Sequence, residues 1–167
     1  MLVASFVGWS DSGKTTLIAR LVEAFRARGR RVVAVKRGHG EPRLPADGKD
    51  TSRFLAAGAE AAYLLSADSM LRWQRAPAEP WELILRELGE IEVVLLEGLV
   101  VPGVMVVEVV RDGGAPGLKY PPAALAAVVG DRDPGAGVPF VPAADLNRLI
   151  EFLEGSYGAR GGAQGQR

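Results

Sequence analysis

The sequence predicts an α/β fold with a mostly parallel central sheet and a separate antiparallel strand pair. Three observations support this prediction. An apolar strand, an amphipathic helix and a second apolar strand follow one another within the first 36 residues, and such a unit joins parallel strands. Further apolar runs at 92–96, 104–110 and 125–129 supply more buried strands. The runs at 61–65 and 70–75 flank a short polar turn and predict the antiparallel pair.

The two strands and the helix within the first 36 residues have the clearest sequence patterns. Residues 2–7 are apolar and are followed by a glycine, as is typical of a buried strand. In residues 15–28 the apolar side chains recur every three or four positions, which predicts an amphipathic helix that Gly29 is placed to end. Residues 31–36 form the second strand. The later segments that predict helices are 50–57, 80–88 and 144–153.

The composition limits the chemistry that the chain can carry. Among its 167 residues, 20 Lys and Arg balance 20 Asp and Glu, and there is no cysteine and a single histidine, His39. These counts exclude disulfides, cysteine-based metal sites, a catalytic thiolate and a two-histidine metal site. Zero net charge also argues against nucleic acid as a partner, because nucleic-acid binding depends on an excess of positive charge.

The chain is expected to be a cytoplasmic protein with no membrane span. Its most apolar stretch, residues 91–110, contains three glutamates and is interrupted by Pro102 and Gly103, so it predicts two buried strands rather than a transmembrane helix. The apolar N-terminus lacks a basic leader and is too short for a signal peptide. We expect one domain over residues 1–154 and a flexible, glycine-rich tail over residues 155–167.

A phosphate-binding loop is the clearest functional motif. Residues 8–15, G-W-S-D-S-G-K-T, match the Walker A pattern between a strand and a helix. The glycines let successive backbone N–H groups curl around phosphate oxygens, Lys14 reaches the β- and γ-phosphates, and the Thr15 hydroxyl can bind Mg²⁺. The candidate nucleotide-binding residues are Gly8, Trp9, Ser10, Asp11, Ser12, Gly13, Lys14, Thr15 and Thr16.

Such a loop needs a carboxylate at the end of a nearby strand to hold the magnesium ion or its waters. Glu97 supplies one, because it follows four apolar residues and so stands at the carboxyl end of a buried strand. Asp50, at the start of the second helix, is a further candidate, although capping alone explains an aspartate there. Asp47, three residues earlier, competes for the same role.

Four other residues are candidates for ligand contacts. Lys36 ends the second strand and can meet a phosphate or a substrate anion, and His39 follows in a glycine-rich loop that we expect to be mobile. For the base, Asp131 and Asp133 lie after a late strand, where GTP-binding proteins use the pattern [NT]-K-x-D. Of the four positions only Asp133 matches this pattern, and the residues D-R-D-P (131–134) are also typical of a turn.

These motifs together resemble one family. The sequence is similar, from about residue 2 to about residue 153, to MobB, the molybdopterin-guanine dinucleotide biosynthesis protein B family of P-loop GTP-binding proteins. Two positions depart from the family pattern: Asp11 stands where glycine is common, and a second histidine near His39 is missing. A negative charge in the loop is expected to weaken phosphate binding. The segments that carry the resemblance are GWSDSGKTT (8–16), VKRGHG (35–40), DGKDTSR (47–53), LLEG (95–98) and VVEVVR (106–111).

The resemblance implies a three-layer P-loop NTPase that binds GTP and Mg²⁺, cleaves the β–γ phosphoanhydride bond slowly and forms a homodimer. It implies association with the molybdenum cofactor guanylyltransferase and with cofactor-insertion proteins, with molybdopterin as a further candidate ligand. Lys14, Glu97 and Asp50 would be the catalytic residues, and Thr15, Glu97 and Asp50 the magnesium ligands. Asp131 or Asp133 would read guanine.

Two other functions stay open on the residues alone. One is an ATP-dependent small-molecule kinase, or a ligase resembling dethiobiotin synthase, which Lys36, Asp50 and Glu97 would also suit. The other is a nucleotide-gated binding adaptor whose hydrolysis is negligible.

Overall fold

The computed structural model describes residues 1–38, 49–74 and 80–161. They divide into two compact units. The first contains Met1–Arg37 and the described residues from Glu90 onward, and the second contains the described residues from Gly38 to Gly89. The single domain over residues 1–154 stays a prediction. Among the described helices, none has the length and apolar character needed to cross a membrane.

The first unit is built on a six-stranded sheet in which every neighbouring pair is parallel. The strand order is β2-β5-β1-β6-β7-β8, so β1 lies inside the sheet with β5 and β6 on either side. After β1 the chain forms β2 and β5 on one side of β1, and then β6, β7 and β8 on the other side. The carboxyl end of β1 therefore lies at a topological switch point of the sheet. The strands are β1 (Leu2–Val7), β2 (Val32–Lys36), β5 (Val93–Glu97), β6 (Met105–Val109), β7 (Ala127–Gly130) and β8 (Phe140–Pro142).

Two helices of this unit, α1 (Lys14–Ala27) and α4 (Leu146–Gly161), contact the sheet and each other. The apolar positions of α1 that recur at helical spacing are the ones that it buries, including Leu21 and Phe25, which are fully buried. They form one core with alternate residues of the strands. This core fixes α1 behind the loop that joins it to β1.

The second unit contains α2 (Lys49–Ala56), α3 (Pro80–Glu87) and the antiparallel pair of β3 (Ala61–Leu65) with β4 (Met70–Gln74). The antiparallel pair was predicted, as was the mostly parallel sheet, so the predicted fold class is confirmed.

Two features of the first unit differ from the sequence expectations. β8 was not predicted, because it is only three residues long and lies among prolines. The last helix was expected to end at Leu153 before a flexible tail, whereas α4 continues to Gly161. Tyr157, inside this extension, accepts a hydrogen bond of 2.9 Å from the terminal amine of Met1, a long-range contact that no local pattern encodes. Residues 162–167 lie outside the described part.

Candidate functional site

The Walker A segment, Gly8–Thr15, joins the carboxyl end of β1 to the N-terminus of α1. Gly8 has a φ of 136°, and a Cβ there would collide with the backbone carbonyl oxygen of Val109 on the neighbouring strand. Gly13 has a φ of 90° and no neighbour near its would-be Cβ. Glycine is therefore required at position 8 for close approach and at position 13 for its backbone angle.

Asp11 is the one described non-glycine residue with a positive φ, 61°. This left-handed conformation costs free energy for most side chains, although aspartate tolerates it better than most. The exposed carboxylate of Asp11 therefore stands at a position whose backbone favours glycine.

The Lys14 ammonium turns back over its own loop. Its Nζ donates to the carbonyl oxygens of Gly8 at 3.2 Å and Trp9 at 2.5 Å, and to the Ser12 hydroxyl at 3.3 Å. Burial lowers the pKa of Lys14, and the negative charge of Glu97 offsets this only in part. A cation that is partly desolvated without a full countercharge is favourably placed to bind an anion such as phosphate.

Glu97, Thr15 and Lys36 form a contact cluster beside this loop. Glu97 ends β5, and in the sheet register it lies next to Phe6 of β1 and Lys36 of β2. Its Oε1 accepts a hydrogen bond of 2.8 Å from the Thr15 hydroxyl and pairs with the Lys36 ammonium at 2.7 Å. Lys36 Nζ is also 3.4 Å from Thr15 Oγ1. One cation therefore touches both oxygens that were predicted to hold magnesium.

The electrostatics of Glu97 favour its ionised form. Burial raises the pKa of this carboxyl, but the hydrogen bonds from Lys36 and Thr15 and the charges of Lys36 and Lys14 outweigh burial, so the net pKa lies below its usual value. A carboxylate and a hydroxyl oxygen suit Mg²⁺, which takes few protein ligands and is completed by phosphates and water. Among the described residues there is no group of three or more carboxylate or histidine side chains able to hold a metal.

Some of the predicted site residues are not described in the same detail. Asp50 lies in the first turn of α2, but its side chain is outside the described set. His39 and Asp47 lie outside the described residues altogether, as does most of the expected mobile loop. Their roles stay predictions.

The two candidates for reading guanine differ in their contacts. The Asp131 carboxylate accepts a hydrogen bond of 3.2 Å from the Asp112 backbone N–H and lines a cleft of about 160 Å³ together with Arg132. Asp133 instead accepts from the backbone N–H of Gly135 at 2.8 Å, closing its own turn. A larger cleft of about 320 Å³ adjoins the first and is lined by residues 9–12 of the Walker A segment and by residues 109–114.

Two residues that sequence reasoning did not place in the site lie beside it. Glu108 of β6 is fully buried, and its carboxylate accepts the backbone N–H groups of Lys119 and Tyr120 at 2.5 Å and 3.0 Å. The Lys119 ammonium lies 5.5 Å from the centroid of the Trp9 ring. Glu108 could have been recognised from the sequence as an unusual residue, because it is a charged residue inside the apolar run 104–110. No sequence pattern marks Lys119, because its contact with Trp9 depends on the path of residues 110–121.

The model of the MobB protein family, molybdopterin guanine dinucleotide synthesis protein B, matches residues 3–131 of the chain. A probable molybdopterin-guanine dinucleotide biosynthesis adapter protein of Bacillus subtilis strain 168 is 34% identical over 102 residues, 58% of this chain and 57% of that protein. The adapter protein of Escherichia coli strain K12 is 30% identical over 115 residues, 65% of each. These alignments span between half and two thirds of the length of the curated relatives.

Two solved structures of MobB proteins have a similar fold. The crystal structure of Bacillus subtilis MobB superposes with a TM-score of 0.70 at 26% identity, covering 93% of this chain and 99% of that one. A crystal structure of molybdopterin-guanine biosynthesis protein B superposes with a TM-score of 0.66 at 28% identity, covering 93% and 98%.

Proposed function

Because the chain belongs to the MobB family, we propose that it is a GTP-binding adapter protein in the biosynthesis of the molybdopterin guanine dinucleotide cofactor. The curated relatives from Bacillus subtilis and Escherichia coli carry the name of adapter protein in this biosynthesis. The observation that carries the nucleotide part is geometric. The Walker A segment brings Lys14 and the Thr15 hydroxyl to the rim where Glu97 ends β5, with Thr15 Oγ1 2.8 Å from Glu97 Oε1.

In the proposed complex the phosphates take over the contacts that Lys14 now makes with its own loop. The backbone N–H groups of the Walker A segment and the N-terminus of α1 face the same oxygens. Thr15 and Glu97 would hold Mg²⁺, with Asp50 as a further candidate. When bound, the metal neutralises charge that develops on the phosphate oxygens.

We propose that hydrolysis is slow, and the electrostatics of Glu97 fit a role other than proton removal. A carboxylate whose pKa is lowered is a weak general base, so Glu97 is better suited to orient a magnesium-bound water than to remove a proton from it. Positioning and charge stabilisation then supply the catalysis. An adapter needs no fast turnover, and we propose a slow GTPase acting on the β–γ bond.

We propose that Asp131, rather than Asp133, reads the base. Guanine presents N–H donors on its N1 and N2, and an ionised carboxylate is an acceptor for both. Asp131 lines the smaller cleft, which adjoins the larger cleft that residues 9–12 of the Walker A segment line, whereas Asp133 closes its own turn with the backbone N–H of Gly135.

The test is a titration of the full chain with GTP or ATP in the presence of Mg²⁺, followed by calorimetry and by tryptophan fluorescence, to which Trp9 contributes together with Trp73 and Trp81. We expect saturable GTP binding with at least 10-fold preference over ATP, loss of about 100-fold in affinity in Lys14→Ala, and loss of the base preference in Asp131→Asn. Arg26→Met, which removes an exposed cation from the far end of α1, should bind as the wild type does. Equal or stronger binding of ATP by the wild type would refute the guanine assignment.

We also propose that the chain forms a homodimer and works with the guanylyltransferase that builds the cofactor and with the proteins that insert it; molybdopterin is a further candidate ligand. The β3–β4 hairpin supports an interface, because it exposes large apolar side chains: Tyr63, Leu64, Leu65, Met70 and Leu71. Sedimentation of the wild type should give twice the chain mass, and Leu65→Lys, at a side chain that is 70% exposed, should shift it towards the monomer. A monomeric wild type would refute the dimer.

A further inference from the structure

Lys119 is held at the edge of the Walker A segment by an aromatic contact. Its ammonium lies 5.5 Å from the centroid of the Trp9 ring, and both side chains are exposed. A cation on an exposed aromatic face is held weakly. An anion with oxygen acceptors can therefore replace the ring as the partner of the ammonium, at a small cost in free energy.

The backbone of Lys119 is held much more firmly than its side chain. Glu108 is fully buried and lies next to Val7 in the register of β6 with β1, one residue before the Walker A segment begins. Its two carboxylate oxygens accept the N–H groups of Lys119 and Tyr120. A charge-assisted pair of this kind fixes the backbone of residue 119 beside β6.

Lys119 places a second ammonium group near that of Lys14, the lysine of the Walker A segment. Burial lowers the pKa of Lys14, and the positive charge of Lys119 lowers it further. Two like charges held near one another beside backbone N–H groups are stabilised by a ligand that carries several negative charges.

We propose that Lys119 is a second phosphate-binding cation of this site, which exchanges the Trp9 ring for a phosphate oxygen when a polyphosphate binds, and that Glu108 is the residue that positions it. This inference rests on the proposed function only in requiring that the Walker A segment binds a polyphosphate; it does not depend on the base being guanine.

The first experiment measures the affinity of the wild type, Lys119→Met, Lys119→Arg and the control Arg26→Met by calorimetry with Mg²⁺ and either GTP or inorganic tripolyphosphate. Calorimetry is used because Lys119 touches the fluorophore Trp9. Loss of one charge-assisted contact should weaken both ligands about 10-fold in Lys119→Met. Lys119→Arg and Arg26→Met should stay within about 3-fold of the wild type.

The possible failures are distinguishable. If the wild type binds polyphosphate and Lys119→Met binds equally well, the inference about Lys119 is wrong and the proposed function stands. If GTP and ATP bind alike but Lys119→Met weakens both and weakens tripolyphosphate, the guanine assignment fails and the inference stands. If the wild type binds none of these ligands, both are wrong.

A double-mutant cycle tests the positioning role of Glu108. Glu108→Gln should weaken tripolyphosphate binding in the wild-type background but have no further effect in the Lys119→Met background. A merely structural role would give the same loss in both backgrounds and would overturn the assignment. If Glu108→Gln fails to fold, as judged by its thermal transition, Lys119→Met against Lys119→Arg still decides whether residue 119 binds phosphate.

Discussion

The Lys36 ammonium competes with a metal for Glu97, so removing it is expected to strengthen magnesium binding. Lys36 Nζ lies 2.7 Å from Glu97 Oε1 and 3.4 Å from Thr15 Oγ1, the two oxygens that we propose as magnesium ligands. A divalent cation can bind there only after this ammonium leaves. Lys36→Met removes the competitor and keeps much of the apolar stem.

The magnitude follows from the exposure of the pair. The Lys36 side chain is 63% exposed and that of Glu97 only 13%, so solvent screens the pair considerably. Exposed ion pairs contribute about 0.2–1 kcal/mol, and the short distance and the partly buried carboxylate place this one near the upper end. Breaking a contact of about 1 kcal/mol before magnesium binds corresponds to an affinity change of roughly 5-fold.

The assay is a magnesium titration of the chain in saturating GTP near pH 8. Without Lys36, burial would raise the pKa of Glu97, and a mildly alkaline buffer keeps the carboxyl ionised. We expect the midpoint in Mg²⁺ to fall about 5-fold in Lys36→Met and to change little in Lys36→Arg, which keeps the charge. GTP affinity measured in a chelator reports separately any contact of Lys36 with phosphate.

One result would refute the reasoning. If the magnesium midpoint of Lys36→Met equals or exceeds that of the wild type, the ammonium does not oppose the metal. Lys36 would then leave Glu97 for the nucleotide before the metal arrives, and the chelator measurement would show GTP affinity falling in the same variant.

Two further predictions concern the loop itself. Asp11→Gly should tighten Mg²⁺–GTP binding about 2- to 5-fold by calorimetry, because it removes a negative charge near the phosphates, and glycine accepts the left-handed backbone at φ 61°. Weaker binding would show that the aspartate contributes a contact. GTP affinity should fall as pH rises, beginning below the ordinary lysine value of 10.5, because the pKa of Lys14 is lowered and phosphate needs its protonated form. A pH dependence of GTP affinity that is the same in Lys14→Ala as in the wild type would contradict a role for that ammonium.

The sequence could predict the centre of this site because its determinants are local. A strand, a glycine-rich turn and a helix are consecutive in the chain, so the pattern of residues 8–15 and its flanks contained the geometry of the loop. The position of Glu97 at the carboxyl end of an apolar run was enough to bring it to the same rim, since parallel strands end at a common edge. That Thr15, Glu97 and Lys36 would touch one another needed the strand order, which places β5 between β1 and β2.

The missed residues depend on contacts that no local pattern encodes. Glu108 was visible as a charge within an apolar run, but its partners are N–H groups 11 and 12 residues further along the chain. Whether α4 continues past Gly155 is likewise set by packing and long-range bonds, such as that between Tyr157 and Met1, rather than by helix propensity.

Two lysines of the site, Lys14 and Lys119, share one arrangement, and it bears on which ligands we expect the site to select. In the structure the Lys14 ammonium donates to carbonyl oxygens of its own loop, and the Lys119 ammonium lies over the Trp9 ring. A phosphate oxygen can replace either contact, and each replacement uses negative charge from the ligand. A monophosphate lacks the charge and the reach to satisfy two ammonium groups at once, whereas a triphosphate has both. We therefore expect the preference for a nucleoside triphosphate over a nucleoside monophosphate, measured as the ratio of their affinities, to weaken stepwise when Lys14 and Lys119 are replaced one at a time.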